Sequence, residues 1–117
     1  MSDAHARAWN FYLDDMIGFA EKVLQYTQGL EQRSFLGNGL VYDATLRNLE
    51  LIGEAATRIP ADVREREAQI AWRKIIATRN RLIHNYLGID DDILWSIIRT
   101  DVPRLLAQLV ALRERLA

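Results

Sequence analysis

Apolar side chains recur along this chain at three- and four-residue steps, with no segment of strict two-residue alternation. From about Trp9 to Thr27 the apolar positions are Trp9, Tyr12, Leu13, Met16, Ile17, Ala20, Val23 and Leu24, with Asp14, Asp15, Glu21, Lys22 and Gln25 between them. Residues three and four apart share one face of a helix, so the spacing predicts an amphipathic helix with one buried stripe. Gly29 supplies a stop, and Ser34 to Gly39, with two glycines, reads as a loop. A second helix is expected from about Leu40 to Ile59, its stripe running through Val41, Ala44, Thr45, Asn48, Leu49, Ile52, Ala55, Ala56 and Ile59 until Pro60 ends it.

Residues 61–69 are charged and predict no more than a short helical turn, with an extra short helix near 61–67. Trp72, Ile75, Ile76, Leu82 and Ile83 mark a third main helix ending near Asn85, with Gly88 just beyond it. Asp90, Asp91 and Asp92 precede a fourth apolar pattern that runs from Ile93 to Leu116. Three adjacent carboxylates raise the question of a metal site. Their place before a helix favours capping, because carboxylates accept from free N–H groups and face the positive end of the helix dipole. Pro103 falls inside the last pattern and removes the bond from its own nitrogen to the carbonyl of Arg99, which predicts a kink or break near Thr100. Short connections make sequential helices antiparallel neighbours. The expected fold is therefore all-α, an up-and-down bundle of four main helices forming one domain over residues 1–117.

Composition narrows the chemistry. The chain has no cysteine, which removes disulfides, thiolate ligands and a cysteine nucleophile, and which fits a reducing compartment. No apolar run approaches the ~18 residues of a membrane span, and residues 1–10 lack the basic start and apolar core of a secretory signal. A cytoplasmic protein without membrane attachment is expected. The net charge of −1 argues against coating nucleic acid by bulk electrostatics, but it hides an asymmetry. Residues 58–81 carry Arg58, Arg64, Arg66, Arg73, Lys74, Arg79 and Arg81 against only Asp62, Glu65 and Glu67, while the residues on both sides are net acidic. Such a stretch is either a salt-bridged helix surface or a phosphate-binding one, and arginine's planar fork suits phosphate oxygens.

The third helix contains Arg79-Asn80-Arg81-Leu82-Ile83-His84-Asn85-Tyr86, where polar residues interrupt the stripe. Asn80 and His84 are four apart and share a face, whereas Arg79 and His84 stand about 140° apart on an ideal helix. Arg79 and His84 converge only on a ligand lying across that face or if the helix tightens at its end. An imidazole in a last turn caps carbonyls or moves protons, and a nearby guanidinium stabilises developing phosphate charge. No His, Asp and Glu cluster has metal-ligand spacing, so two-metal chemistry has no support in the sequence.

The pattern Arg-x4-His-x-Tyr resembles the signature of the HEPN superfamily, and the stretch from Trp72 to Ile89 resembles its HepT-type toxin branch. Leu46 to Ala56, with Gly53-Glu54-Ala55, is similar to the second-helix signature of that branch, as is the acidic start of the last helix with Leu94-Trp95. The resemblance spans about Ala8 to Leu116. It implies a HEPN-fold bundle that forms a homodimer with the two Arg-His motifs facing each other across a cleft, so that Arg79 of one subunit complements His84 of the other. It further implies a metal-independent endoribonuclease without a cofactor, acting as the toxin of a toxin–antitoxin pair. In that reading Arg79, His84 and Asn80 are catalytic, and the RNA 2′-hydroxyl is the nucleophile. Arg73, Lys74 and Arg81 contact RNA phosphates. The partner is an MNT-type nucleotidyltransferase antitoxin, which alone uses ATP and transfers AMP onto Tyr86, placing a bulky anion beside His84. Arg47, Asn48 and Glu54 either support the cleft from the second helix or form an intrahelical polar network. The alternative function is a non-catalytic helical module that uses the same surface to bind a nucleotide or a partner.

Overall fold

A computed structural model describes the backbone of residues 3–84 and 88–117, and the side chains of residues 9–84 and 88–117. Helix α1 (Asp3–Thr27) buries Trp9, Leu13, Met16, Ile17, Ala20 and Val23, the stripe its periodicity predicts. It stops where Gly29 adopts φ 76°, a left-handed turn that a side chain would resist. The next segment departs from expectation. Ser34, Phe35 and Leu36 belong to a short helix, α2 (Gln32–Leu36), rather than to a loop. The cause lies elsewhere in the chain: Phe35 is completely buried, with its ring 5.4 Å from those of both Tyr42 and Trp95. Five residues are too few to show a helical period in the sequence.

Helix α3 (Gly39–Thr57) begins where Asn38 Oδ1 accepts from the Val41 amide at 3.1 Å. It ends two residues before the expected Ile59, which is itself buried in the turn that leads to Pro60. Helix α4 (Ala61–Arg66) is the short helix anticipated near 61–67. Helix α5 (Trp72–His84) follows, and the indole N–H of Trp72 donates to the Glu67 carbonyl at 3.0 Å, tying the start of α5 to the preceding turn. The expected helix end near Asn85, and Tyr86 with it, lie outside the described residues.

Asp90 accepts from the Ile93 amide at 2.9 Å and caps α6 (Asp91–Ser96), as the aspartate run suggests. The expected break then takes a specific form. Residues Ile97–Asp101 make a π-helical turn in which the Val102 amide reaches the Ile97 carbonyl, five residues back. Widening the turn before α7 (Val102–Leu116) accommodates Pro103 near the new helix start, where its missing N–H is tolerated.

Helix α3 packs between α1 and α5, and α1 also carries α7, so the helices follow one another around the bundle in the order α5, α3, α1, α7. Among the described residues there is no strand, and the fold is the all-helical bundle expected. One side is loosely closed. Between α5 and α7 lies a cavity of about 190 Å³ with an apolar floor that includes Leu49, Ile52 and Ile75, bridged by Lys74 Nζ to Asp101 Oδ2 at 2.8 Å and by Gln108 Nε2 to the Gln69 carbonyl at 3.1 Å. No described helix is long and apolar enough to cross a membrane.

Candidate active site at the α3–α5 contact

The site is built on a close helix approach. A Cβ placed on Gly53 would stand 2.1 Å from Arg79 Cβ and 3.1 Å from the Ile75 carbonyl oxygen. Only glycine leaves that space, so the stem of Arg79 lies directly across α3. The guanidinium then meets the residue after the glycine: Arg79 Nη2 donates to Glu54 Oε2 at 2.6 Å. On its other side Nη1 donates to Asn80 Oδ1 at 2.7 Å. Arg79 Nε is buried and has no acceptor among the described residues. The guanidinium is thus gripped at two corners, with N–H groups left over for an anion.

Glu54 serves a second cation. Arg58, one helical turn further along α3, brings Nη2 to 3.7 Å from Glu54 Oε1. Two guanidinium groups around one carboxylate leave one net positive charge at this corner. The three polar residues singled out on this helix differ in what they meet. Glu54 reaches across to α5, whereas Arg47 pairs with Glu50 at 3.4 Å and Asn48 donates to the Ala44 carbonyl at 2.9 Å, both within α3.

The structure brings Arg79 and Asn80 together, while His84 is exposed in the last turn of α5. The Arg79 side chain turns toward α3, and it is not seen paired with His84 within one chain. Beside Asn80 an open groove between α4 and α5 is lined by Arg64, Arg73, Lys74, Ile76 and Ala77. Both readings of the basic stretch apply in part. Arg58, Arg66, Lys74 and Arg79 are ion-paired, whereas Arg64, Arg73 and Arg81 make no ion pair among the described residues. Arg64, with a buried and unpartnered Nε, was not singled out by its spacing, and neither was Arg58, although its position four residues after Glu54 carries that signal. Among the described residues no three His, Asp or Glu side chains gather in a way that could hold a metal ion.

Comparison with known proteins places this arrangement in context. The family profile described as "Ribonuclease HepT-like" matches residues 16–112. A candidate RNase of Methanocaldococcus jannaschii is 37% identical over 94 residues, which cover 80% of this chain and 86% of that protein. The probable ribonuclease HepT of Thermococcus cleftensis is 33% identical over 108 residues, covering 92% of this chain and 98% of its own. A candidate RNase of Caldanaerobacter subterraneus is 29% identical over 104 residues, covering 89% and 93%. No solved structure matches the chain.

Proposed function

The chain belongs to the ribonuclease HepT-like family, and on that premise we propose that it is a metal-independent endoribonuclease whose site is shared by two copies of the chain. The observation that carries the reading is the held guanidinium of Arg79, gripped by Glu54 and Asn80 on the helix whose last turn carries an exposed His84. The names of the relatives in Methanocaldococcus and Thermococcus support the same activity.

In the reaction, the RNA 2′-oxygen attacks the adjacent phosphorus and the bond to the 5′-oxygen breaks, leaving a cyclic phosphate and a free 5′-hydroxyl. One His84 imidazole accepts the 2′-hydroxyl proton, and a second returns a proton to the leaving oxygen. Arg79, kept in place by Asn80, stabilises the added charge on the phosphorane. One chain supplies a single imidazole from this motif; a dimer supplies two to one cleft. The outward part of α5 suits a second copy, because Ile83 is exposed beside His84 and Ile76 and Ala77 line the open groove. Arg73 and Arg81, with Arg64, hold flanking phosphates in this reading, Arg64 and Arg73 from the open groove; Lys74 does so only by leaving Asp101. As the toxin of a pair, the enzyme is silenced when a nucleotidyltransferase antitoxin attaches AMP to Tyr86, two residues after His84.

The test is cleavage of RNA by purified protein in EDTA. Arg79→Ala and His84→Ala are each expected to lower the rate by about 10²- to 10⁴-fold. Equal cleavage by wild type and both variants would sink the assignment. An inactive wild-type protein that still binds nucleotide or partner through this surface would establish the non-catalytic module instead. Mass spectrometry after incubation with the antitoxin and ATP is expected to find the adduct on Tyr86, and an adduct elsewhere would refute that site.

A further inference from the structure

We propose that Glu54 is the positioning residue for Arg79, holding the guanidinium in its working orientation before substrate arrives; this rests on the ribonuclease reading above. Three observations on the structure converge on it. The contact is short and charge-assisted, at 2.6 Å. It spans 25 positions of sequence and joins α3 to α5, so it belongs to the packing of the bundle rather than to either helix alone. Gly53, the neighbour of Glu54, is what lets the arginine stem lie close enough for the contact to form.

An unheld arginine samples many rotamers, and ordering it during the reaction would raise the barrier. Glu54 removes that freedom in advance. Each contact uses one N–H, which leaves a second Nη1–H and a second Nη2–H of Arg79 for a phosphate oxygen, while Nε stays buried against the helix contact. The carboxylate would by itself cancel the charge it orients. Arg58 at 3.7 Å offsets this and keeps the corner net positive toward a phosphate. The Glu54 side chain is 42% exposed, so the pair is screened by water and adds little to folding; its consequence is local to Arg79.

Kinetics on the full-length protein separate positioning from a structural role. Glu54→Ala is expected to lower kcat by about 10- to 100-fold with KM nearly unchanged and the melting temperature held. Glu54→Gln, which keeps the acceptor, is expected to recover most of the loss. In an Arg79→Lys background, which lacks the fork, Glu54→Ala is expected to cause no further loss, because its route through the guanidinium is already gone. A wild-type kcat for Glu54→Ala, or an undiminished effect in the Arg79→Lys background, would overturn the proposal. A second readout needs no activity: the Arg79 Nε–H resonance is expected to be sharp and slow to exchange in the wild type and broadened in Glu54→Ala. Should the wild-type protein cleave no RNA, the ribonuclease reading fails, and this resonance still decides whether Glu54 holds Arg79. An identical signal in both proteins would refute the hold.

Discussion

Gly53 is the residue on which the site depends most directly. Its missing side chain is occupied by the stem of Arg79 and approached by the Ile75 carbonyl, neither of which can swing aside as the tip of a flexible side chain could. Gly53→Ala is therefore expected to push α3 and α5 apart and to cost about 1 to 3 kcal/mol, the range for overpacking a close contact. Urea unfolding would show this as a lower midpoint with an unchanged slope. An unchanged midpoint would mean that the helices have room the structure does not show. Glycine, glutamate and arginine are each visible in the sequence, but nothing local announces that the glycine faces the arginine. Arg58 differs, since its four-residue step from Glu54 is a signal any helix carries.

At the scale of elements, the start of α6 is legible because capping is local and the run of aspartates precedes it, whereas the cap at Asn38 lies inside a segment that reads as a loop. Asn38 accepts from Val41 and Asp90 accepts from Ile93, each three residues on. Asn38→Ala is expected to destabilise the protein by about 1 kcal/mol, measurable by thermal or urea melts, since one amide at the start of α3 loses its acceptor. The last helix was legible in outline only. Pro103 foretold an interruption, and the chain meets it with the π turn Ile97–Asp101, keeping Ile98 and Val102 both in the core. Helix α2 was not legible, because its reason is Phe35 filling a space between Tyr42 and Trp95 that exists only once three segments have met. The same cluster affects Tyr42, whose phenol is pushed up by burial and then by the nearby Asp91 and Asp43 carboxylates.

For the whole molecule, Glu67 ties the α4–α5 turn to the far end of the chain. Its carboxylate is nearly buried, accepts from Gln69 Nε2 at 3.1 Å, and meets the guanidinium groups of Arg66 and Arg115. The hydrogen bond from Gln69, then the Arg115 and Arg66 charges, hold it below its ordinary value of 4.5 against the opposing effect of burial. A carboxylate whose folded value is depressed contributes stability that is present above the unfolded value and lost as pH falls through the folded one. The melting temperature is thus expected to fall as the pH drops below 4.5, and Glu67→Gln to flatten that decline. A variant with the wild-type acid profile would show that other carboxylates set it. Assembly belongs to this scale too. Sedimentation is expected to find a dimer that Ile83→Glu, a charge placed on the exposed face of α5, dissociates with loss of cleavage. A fully active monomer would refute the shared cleft.

The sequence alone determined the helical period, the aspartate cap of α6, the interruption at Pro103, the family and the Arg79–His84 spacing, because each depends on residues within a turn or two of one another. Only the tertiary structure decided that α2 exists, that α5 and α7 stand apart over a cavity, and that the charge of Arg79 is delivered to Glu54 across Gly53. Those outcomes follow from which helix faces meet and how closely. That distance is set by side chains many positions apart, and no local pattern records it.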